Sequence, residues 1–241
     1  MGRMDQWHSE ETAKAWDSGE SDQLPTRAEQ EQILLALLSA TPIGDGSVLD
    51  LGVGSGLVAE AVLDLLPDAR LVGIDSSEAM LELARRRLAR FGSRATILRG
   101  DLSELDKLEL PRTLYRAAFS VQTMHHLSGR DWADAARWTA ELVEPGGLIV
   151  IVDRVQIAES LFRDWAVVWS RIDSRVPETY MEHLAELTAG GDRPTRLHDQ
   201  LRWLDEAGLE ADCLHLYGNR ALLVARKAGH VTVRAGRPSM S

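Results

Sequence analysis

The chain has 241 residues, a formal net charge of −10 and one cysteine. The charge argues against a nucleic-acid footprint, which needs a basic face, and favours small or uncharged partners. Cys213 alone excludes an internal disulfide and a cysteine-built metal centre; with no apolar run of membrane-spanning length and no signal-like apolar region in Met1 to Glu10, a cytoplasmic protein that does not engage membranes is expected.

Residues 1–26 are polar and acidic, with Trp7 and Trp16 as their only aromatic side chains, and Ser9, Glu10 and Glu11 can open a short helix. From Arg27 to Leu38 the apolar Ile33, Leu34, Leu37 and Leu38 recur at helical spacing. A strand over Val48 to Leu51 carries an acid at Asp50 and opens into Gly52, Gly54 and Gly56, and the helical residues Val58, Ala61, Val62, Leu65 and Leu66 follow. Such glycines let backbone approach a ligand where a side chain would collide, and the next helix aims its N terminus at the same place. The bland alternative is a tight strand-to-helix turn with no ligand. A dinucleotide fingerprint requires a small residue where Leu57 stands, and no Gly-Lys-Ser/Thr closes a phosphate-binding loop. Asp50 would repel a pyrophosphate and attract a cation. S-adenosylmethionine carries a sulfonium and an ammonium and no phosphate, so it suits this loop.

A second buried strand, Arg70 to Ile74, ends at Asp75, 23 positions after Gly52. Ser76 to Glu78 then begin a helix containing Met80 and Leu81. A third strand, Ala95 to Leu98, leads to Gly100, Asp101 and Leu102; a fourth, Ala117 to Val121, opens into Gln122, Thr123, Met124, His125, His126 and Leu127. Trp138, Leu142 and Val143 precede Pro145, Gly146 and Gly147 and a fifth strand, Leu148 to Val152. In this order the signals resemble the class I S-adenosylmethionine-dependent methyltransferases, of small-molecule type. The resemblance implies an α/β Rossmann-like doubly wound sheet of seven strands with an antiparallel last strand, and S-adenosylmethionine as cofactor. It further implies that Asp50, Gly52, Gly54 and Gly56 cradle the cofactor, that Asp75 with Ser76 accepts its ribose hydroxyls, and that Met80, Asp101 and Leu102 hold the adenine, with Gln122 nearby.

The core is expected at 44–153 and 198–227, after an N-terminal helical lid segment at 1–43. Its last two strands read as a hairpin, Ala211 to Tyr217 and Arg220 to Ala225, turning at Gly218 and Asn219. Residues 228–241 read as a tail without core periodicity. Between fifth strand and last helix, residues 154–197 form an insertion too long for an ordinary connection. Its apolar stripes, Ile157, Leu161, Trp165, Val168 and Ile172, then Tyr180, Leu184 and Leu187, predict helices.

Chemistry in this fold happens outside the carboxyl ends of the strands, where that insertion lies. In similar small-molecule enzymes the insertion and the N-terminal helix form the substrate lid, so Trp16, Arg27 and Trp169 are expected to bind substrate. Trp165, Arg171, Tyr180 and His183 are further pocket candidates, and the tryptophans can equally be core. Methyl transfer to oxygen or nitrogen releases a proton, and His125 is the expected base, with Tyr180 and His183 as additional catalytic candidates. His126 is expected to pack or to cap the following helix. The loop after the fourth strand lacks the Asn/Asp-Pro-Pro-aromatic run of nucleic-acid amino-methylating enzymes. It also lacks the carboxylate of catechol-type enzymes, and Asp153 is isolated, so no metal is expected. The expected activity is transfer of a methyl group to a small molecule, in a chain that can form a homodimer. Two alternatives carry the same cofactor residues: an enzyme that cyclises or cleaves S-adenosylmethionine, and a non-catalytic protein that binds it. The acceptor is not written in the motifs, because lid geometry selects it.

Overall fold

Strands whose residues are apolar on both faces require a cover on each side, and this chain supplies one. The computed structural model describes residues 9–17, 25–112, 114–171 and 176–229. In chain order come α1 (Glu10–Asp17), α2 (Pro25–Ala40), β1 (Ser47–Leu51), α3 (Leu57–Leu65), β2 (Arg70–Asp75), α4 (Glu78–Leu88) and β3 (Ala95–Arg99). They are followed by β4 (Tyr115–Val121), α5 (Gly129–Leu142), β5 (Val143–Arg154), α6 (Phe162–Trp169), α7 (Tyr180–Gly190), α8 (Leu197–Glu206), β6 (Leu209–Tyr217) and β7 (Arg220–Lys227). The tail from residue 230, together with Trp7 and Ile172, lies outside the described residues.

One sheet of seven strands has the order β3-β2-β1-β4-β5-β7-β6. β1 to β5 pair in parallel, and β7 runs antiparallel to both β5 and β6, as expected for the doubly wound sheet with a reversed last strand. Neighbouring residues of one strand face opposite layers: Val48 and Leu71 join α2, α3 and α4, whereas Leu49 and Val72 join α5 and α8. Each fully buried leucine, valine or isoleucine in these layers contributes about 1.5–3 kcal/mol, so both covers are held by the sheet itself. Two cations close the ends of helices. Arg94 donates to the carbonyls of Leu63, Leu66 and Ala69 beyond α3, and Lys227 to those of Ala140 and Val143 at the end of α5. Gly146, with φ 80°, interrupts the pairing expected to begin at Leu148, so β5 starts earlier, with Val143 opposite Tyr115 before the register shifts.

β1 and β4 lie side by side at the centre, and from them the chain order runs outwards in opposite directions, to β2 and β3 on one side and β5 on the other; the loops after β1, β2, β3 and β4 line one cleft. That reversal in strand order is where the functional site lies. Residues 154–197 contain α6 and α7; α6 contributes Phe162, Trp165 and Trp169, and α7 Tyr180, to a separate aromatic cluster with Ile157.

Candidate functional site

That cleft has a volume of about 1170 Å³, counting its open mouth. The loop after β1 forms its floor. Gly52 and Val53 both donate to Ile74 O, at 2.8 and 2.9 Å, which ties the loop to β2.

The three glycines do different work there. A Cβ at Gly52 would meet Thr123 Oγ1 at 2.1 Å, so Gly52 admits the loop after β4. At Gly54, φ +53°, a Cβ would meet nothing within 4 Å and would point into the cleft. At Gly56 it would meet Ala84 Cα at 3.2 Å, so this glycine, expected at the cofactor, packs α3 onto α4 and does not border the cleft.

Asp75 shapes the same floor: Oδ2 accepts from Gly54 N at 2.9 Å and Oδ1 from Ser77 N at 2.8 Å. Ser77 in turn caps α4, its hydroxyl accepting from Met80 N at 3.3 Å. Asp50 is 2% exposed, and burial, with the nearby Asp75, pushes its carboxyl well above the usual range. A cation in the cleft would reverse that cost. Asp75, Ser76 and Met80 border the cleft from β2 and α4, and Asp101 and Leu102 from beyond β3. Ser103 donates from both its amide, at 2.8 Å, and its hydroxyl, at 2.7 Å, to Asp101 Oδ1.

Gln122 borders the far wall. Its φ of 54° is the one positive φ outside glycine among the described residues, a strain of the kind found at functional sites. Arg220 Nη1 donates to its Oε1 at 2.5 Å. Arg27 of α2 also reaches the cleft, paired with Glu31 at 2.8 Å. The side chain of Trp16 lies outside the described residues.

His126 is the imidazole that borders the cleft; His125 is turned inward. Asp153 at the end of β5 takes His125 by both ends: Oδ2 accepts from its amide at 2.9 Å, and Oδ1 meets ring Nδ1. On the other side His125 Nε2 lies 3.4 Å from Asp192 Oδ1. Both ring nitrogens thus face carboxylates, and the ring is 4% exposed. Burial works against its charge, but Asp153 and Asp192 more than offset this and raise its pKa. Burial likewise works against ionised Asp192, yet His125 and Arg154 bring its pKa down to about 2. The neighbouring His126 is pushed down to about 4, by burial and then by His125, and is neutral near pH 7. Ser128, not His126, caps α5, accepting from Asp131 N at 3.3 Å.

Tyr180, His183 and Trp169, expected at the site, lie apart from the cleft. Their rings are occupied with one another: Trp169 stacks on Trp165 at 5.6 Å, and His183 sits 4.9 Å from Trp165 and 5.7 Å from Phe162. Tyr180 Oη donates to Ile157 O at 3.4 Å. Apolar and aromatic faces satisfy each other here, which keeps the insertion folded and leaves none of the three at the cleft. What the insertion does bring there is Gly190 and Gly191. Sequence reasoning passed over these, along with Thr123, Leu127 and Asp192. The Gly-Gly pair closing a predicted helix was the available signal, since Gly191, φ 78°, is a left-handed C-cap.

His125, His126 and Asp192 each offer a donor atom within 4.8 Å of the others, a spacing a cation can bridge. Opposite charges already meet there: Arg154 pairs with Asp192, and the His125 ring lies between the carboxylates of Asp153 and Asp192, which raise its pKa.

A family model described as a methyltransferase domain matches residues 48–147. A ribosomal RNA small subunit methyltransferase H of Sorangium cellulosum is 37% identical over 84 residues, 34% of this chain, which spans only 26% of that enzyme's length. A trans-aconitate 2-methyltransferase of Methylobacterium nodulans is 27% identical over 195 residues, covering 80% of this chain and 67% of that one. Among solved structures, an O-methyltransferase family protein from Burkholderia thailandensis superposes with a TM-score of 0.68 over 95% of this chain and 64% of its own, at 15% identity.

Proposed function

We propose that this chain, whose residues 48–147 match a methyltransferase domain, is a class I S-adenosylmethionine-dependent methyltransferase that methylates an oxygen or nitrogen of a small molecule. The observation that carries the acceptor reading is the half-buried, neutral imidazole of His126 on the wall of the cofactor cleft.

The residues present fit the cofactor. Gly54 leaves open space where a side chain would stand, Asp75 and Asp101 present carboxylates along the cleft, and Asp50 is a buried acid whose ionisation a cationic ligand would restore. S-adenosylmethionine, when bound, supplies an electrophilic methyl group on a sulfonium. Asp75 and Asp101 would orient ribose and adenine, and Met80 would lie along the base. The chain's remaining tasks are to align the acceptor, exclude water and take up one proton. His126 takes it: a neutral ring already in place suits an acceptor that becomes strongly acidic once methylated. His125, held charged between two carboxylates, is assigned a structural role.

Two features support a small acceptor: Gly190 and Gly191 of the insertion narrow the cleft, and the chain is acidic. Arg27 is the one Lys or Arg among the described residues bordering it, and the likeness to a trans-aconitate enzyme adds small carboxylates to the classes to test; a carboxylate acceptor releases no proton, so the His126 reading favours a hydroxyl or an amine. The absence of a metal, a cytoplasmic location and self-association remain proposals alongside it. The test is incubation with S-adenosylmethionine and panels of small carboxylic acids, phenols and amines. S-adenosylhomocysteine should accumulate only with an acceptor, and with a phenol or amine acceptor His126→Gln should lower kcat by roughly 10²-fold or more, whereas turnover of a carboxylate, which releases no proton, should be little affected. Consumption of S-adenosylmethionine to methylthioadenosine without an acceptor would overturn the reading.

A further inference from the structure

Asp192 lies in the insertion, two residues past the end of α7, and carries no motif signal. Its side chain is 8% exposed and meets three partners: His125 Nε2 at 3.4 Å and His126 Nδ1 at 3.5 Å through Oδ1, and Arg154 Nη1 at 2.5 Å through Oδ2. The backbone around it is held as firmly. Asp192 N donates to Leu187 O at 2.9 Å, and Arg193 N donates to His125 O at 2.6 Å. The run 190–193 therefore touches the cleft with its two glycines and the loop after β4 with its next two residues.

His126 shows what this arrangement decides. Its Nδ1 faces two acceptors, Asp192 Oδ1 and Gly191 O, each at 3.5 Å. These contacts are long for hydrogen bonds, so their effect is electrostatic. A nitrogen facing a carboxylate and a carbonyl carries the hydrogen, and the other nitrogen keeps the lone pair. Arg154 and His125 fix Asp192 from behind, as the aspartate of a hydrolase triad is fixed behind its histidine.

We propose that Asp192 is a positioning residue of the methyl-transfer site: it fastens the insertion to the loop after β4 and holds His126 as the Nδ1–H tautomer, so that Nε2 is the proton acceptor. The proposal rests on the reading of His126 given above and adds the residue that makes its ring basic on the correct side. Asp192 itself touches no reacting atom.

The test is made on the full chain without an acceptor, by ¹⁵N spectroscopy of the histidine rings near pH 7. Wild-type His126 should show a protonated Nδ1 and an unprotonated Nε2, and Asp192→Ala should shift the ring to a tautomer mixture or to Nε2–H. Affinity for S-adenosylhomocysteine should change less than about threefold, since Asp192 does not border the cofactor, and kcat with an identified acceptor should fall by at least about tenfold while KM changes less. Asp192→Asn, which keeps the shape, makes the same comparison if the alanine variant does not fold. An Nε2–H tautomer in the wild type, or an unchanged tautomer in both variants, would overturn the proposal. A wild type that turns over no acceptor but shows the expected tautomer shift would instead fail the methyl-transfer reading and leave the positioning role standing.

Discussion

Replacing Gly54 by valine separates fold from cofactor recognition, because a Cβ there meets nothing within 4 Å and yet stands in the cleft. The cost to the ligand-free fold is confined to the left-handed backbone, φ +53°. For a β-branched residue that cost is about 2 kcal/mol. In a chain of this size each kcal/mol lowers Tm by about 2–4 °C, so the melting point should fall by about 4–8 °C. The added isopropyl group occupies space meant for the cofactor, and affinity for S-adenosylhomocysteine should drop at least about 100-fold, or about 2.7 kcal/mol. Scanning calorimetry without ligand and titration calorimetry with it measure the two numbers separately. Gly52→Val is the contrast: its Cβ would overlap Thr123 Oγ1 at 2.1 Å, and that protein should lose its fold before its ligand can be tested. A folded Gly54→Val that binds S-adenosylhomocysteine normally, or one as unstable as Gly52→Val, would refute the assignment of the glycine loop.

The histidine pair gives stability a two-sided pH dependence. His126 has a folded pKa of about 4, below its unfolded value of about 6.5; the unfolded chain binds the extra proton, so stability drops as pH falls through that window, and His126→Gln should flatten this limb in urea titrations. His125 is shifted the other way, and its contribution is complete below about 6.5 and lost as pH rises through its raised folded value. His125→Gln should therefore cost more stability at pH 6 than at pH 9, and equal losses at both would contradict a charged ring between Asp153 and Asp192. Trp169→Ala removes a buried ring stacked on Trp165. It should destabilise the chain by about 3–5 kcal/mol and raise the acceptor KM through a loosened insertion while leaving S-adenosylhomocysteine affinity unchanged; weakened cofactor binding would place Trp169 at the site after all.

The cofactor half of the site was written in local sequence. Glycines at 52 and 54, Asp75 at the end of one strand and Asp101 after the next are each fixed by the chain immediately around them, because strand, turn and helix N terminus are short-range structures. The parallel order of β1 to β5 and the reversed β7 were implied by the family resemblance that those local motifs carry, and the sheet has them. Local reading also had limits: Gly56 looks like its neighbours in sequence, and only the approach of Ala84 from α4 makes it a packing residue.

The acceptor half depended on contacts between segments far apart in the chain. In sequence His125 and His126 are interchangeable neighbours; Asp153, 28 residues on, draws the first inward and leaves the second at the cleft. The aromatic residues of the insertion invited a substrate-binding role, but rings that can bury one another do so, and Trp169, Tyr180 and His183 close a small core of their own. Gly190 and Gly191 reach the cleft instead, brought there by the end of α7, with Asp192 behind them paired to Arg154. The sequence alone thus determined the donor, since its binding loop is built from consecutive residues. Which imidazole borders the cleft was decided only by the tertiary structure, through buried charges that must find partners across the sheet edge.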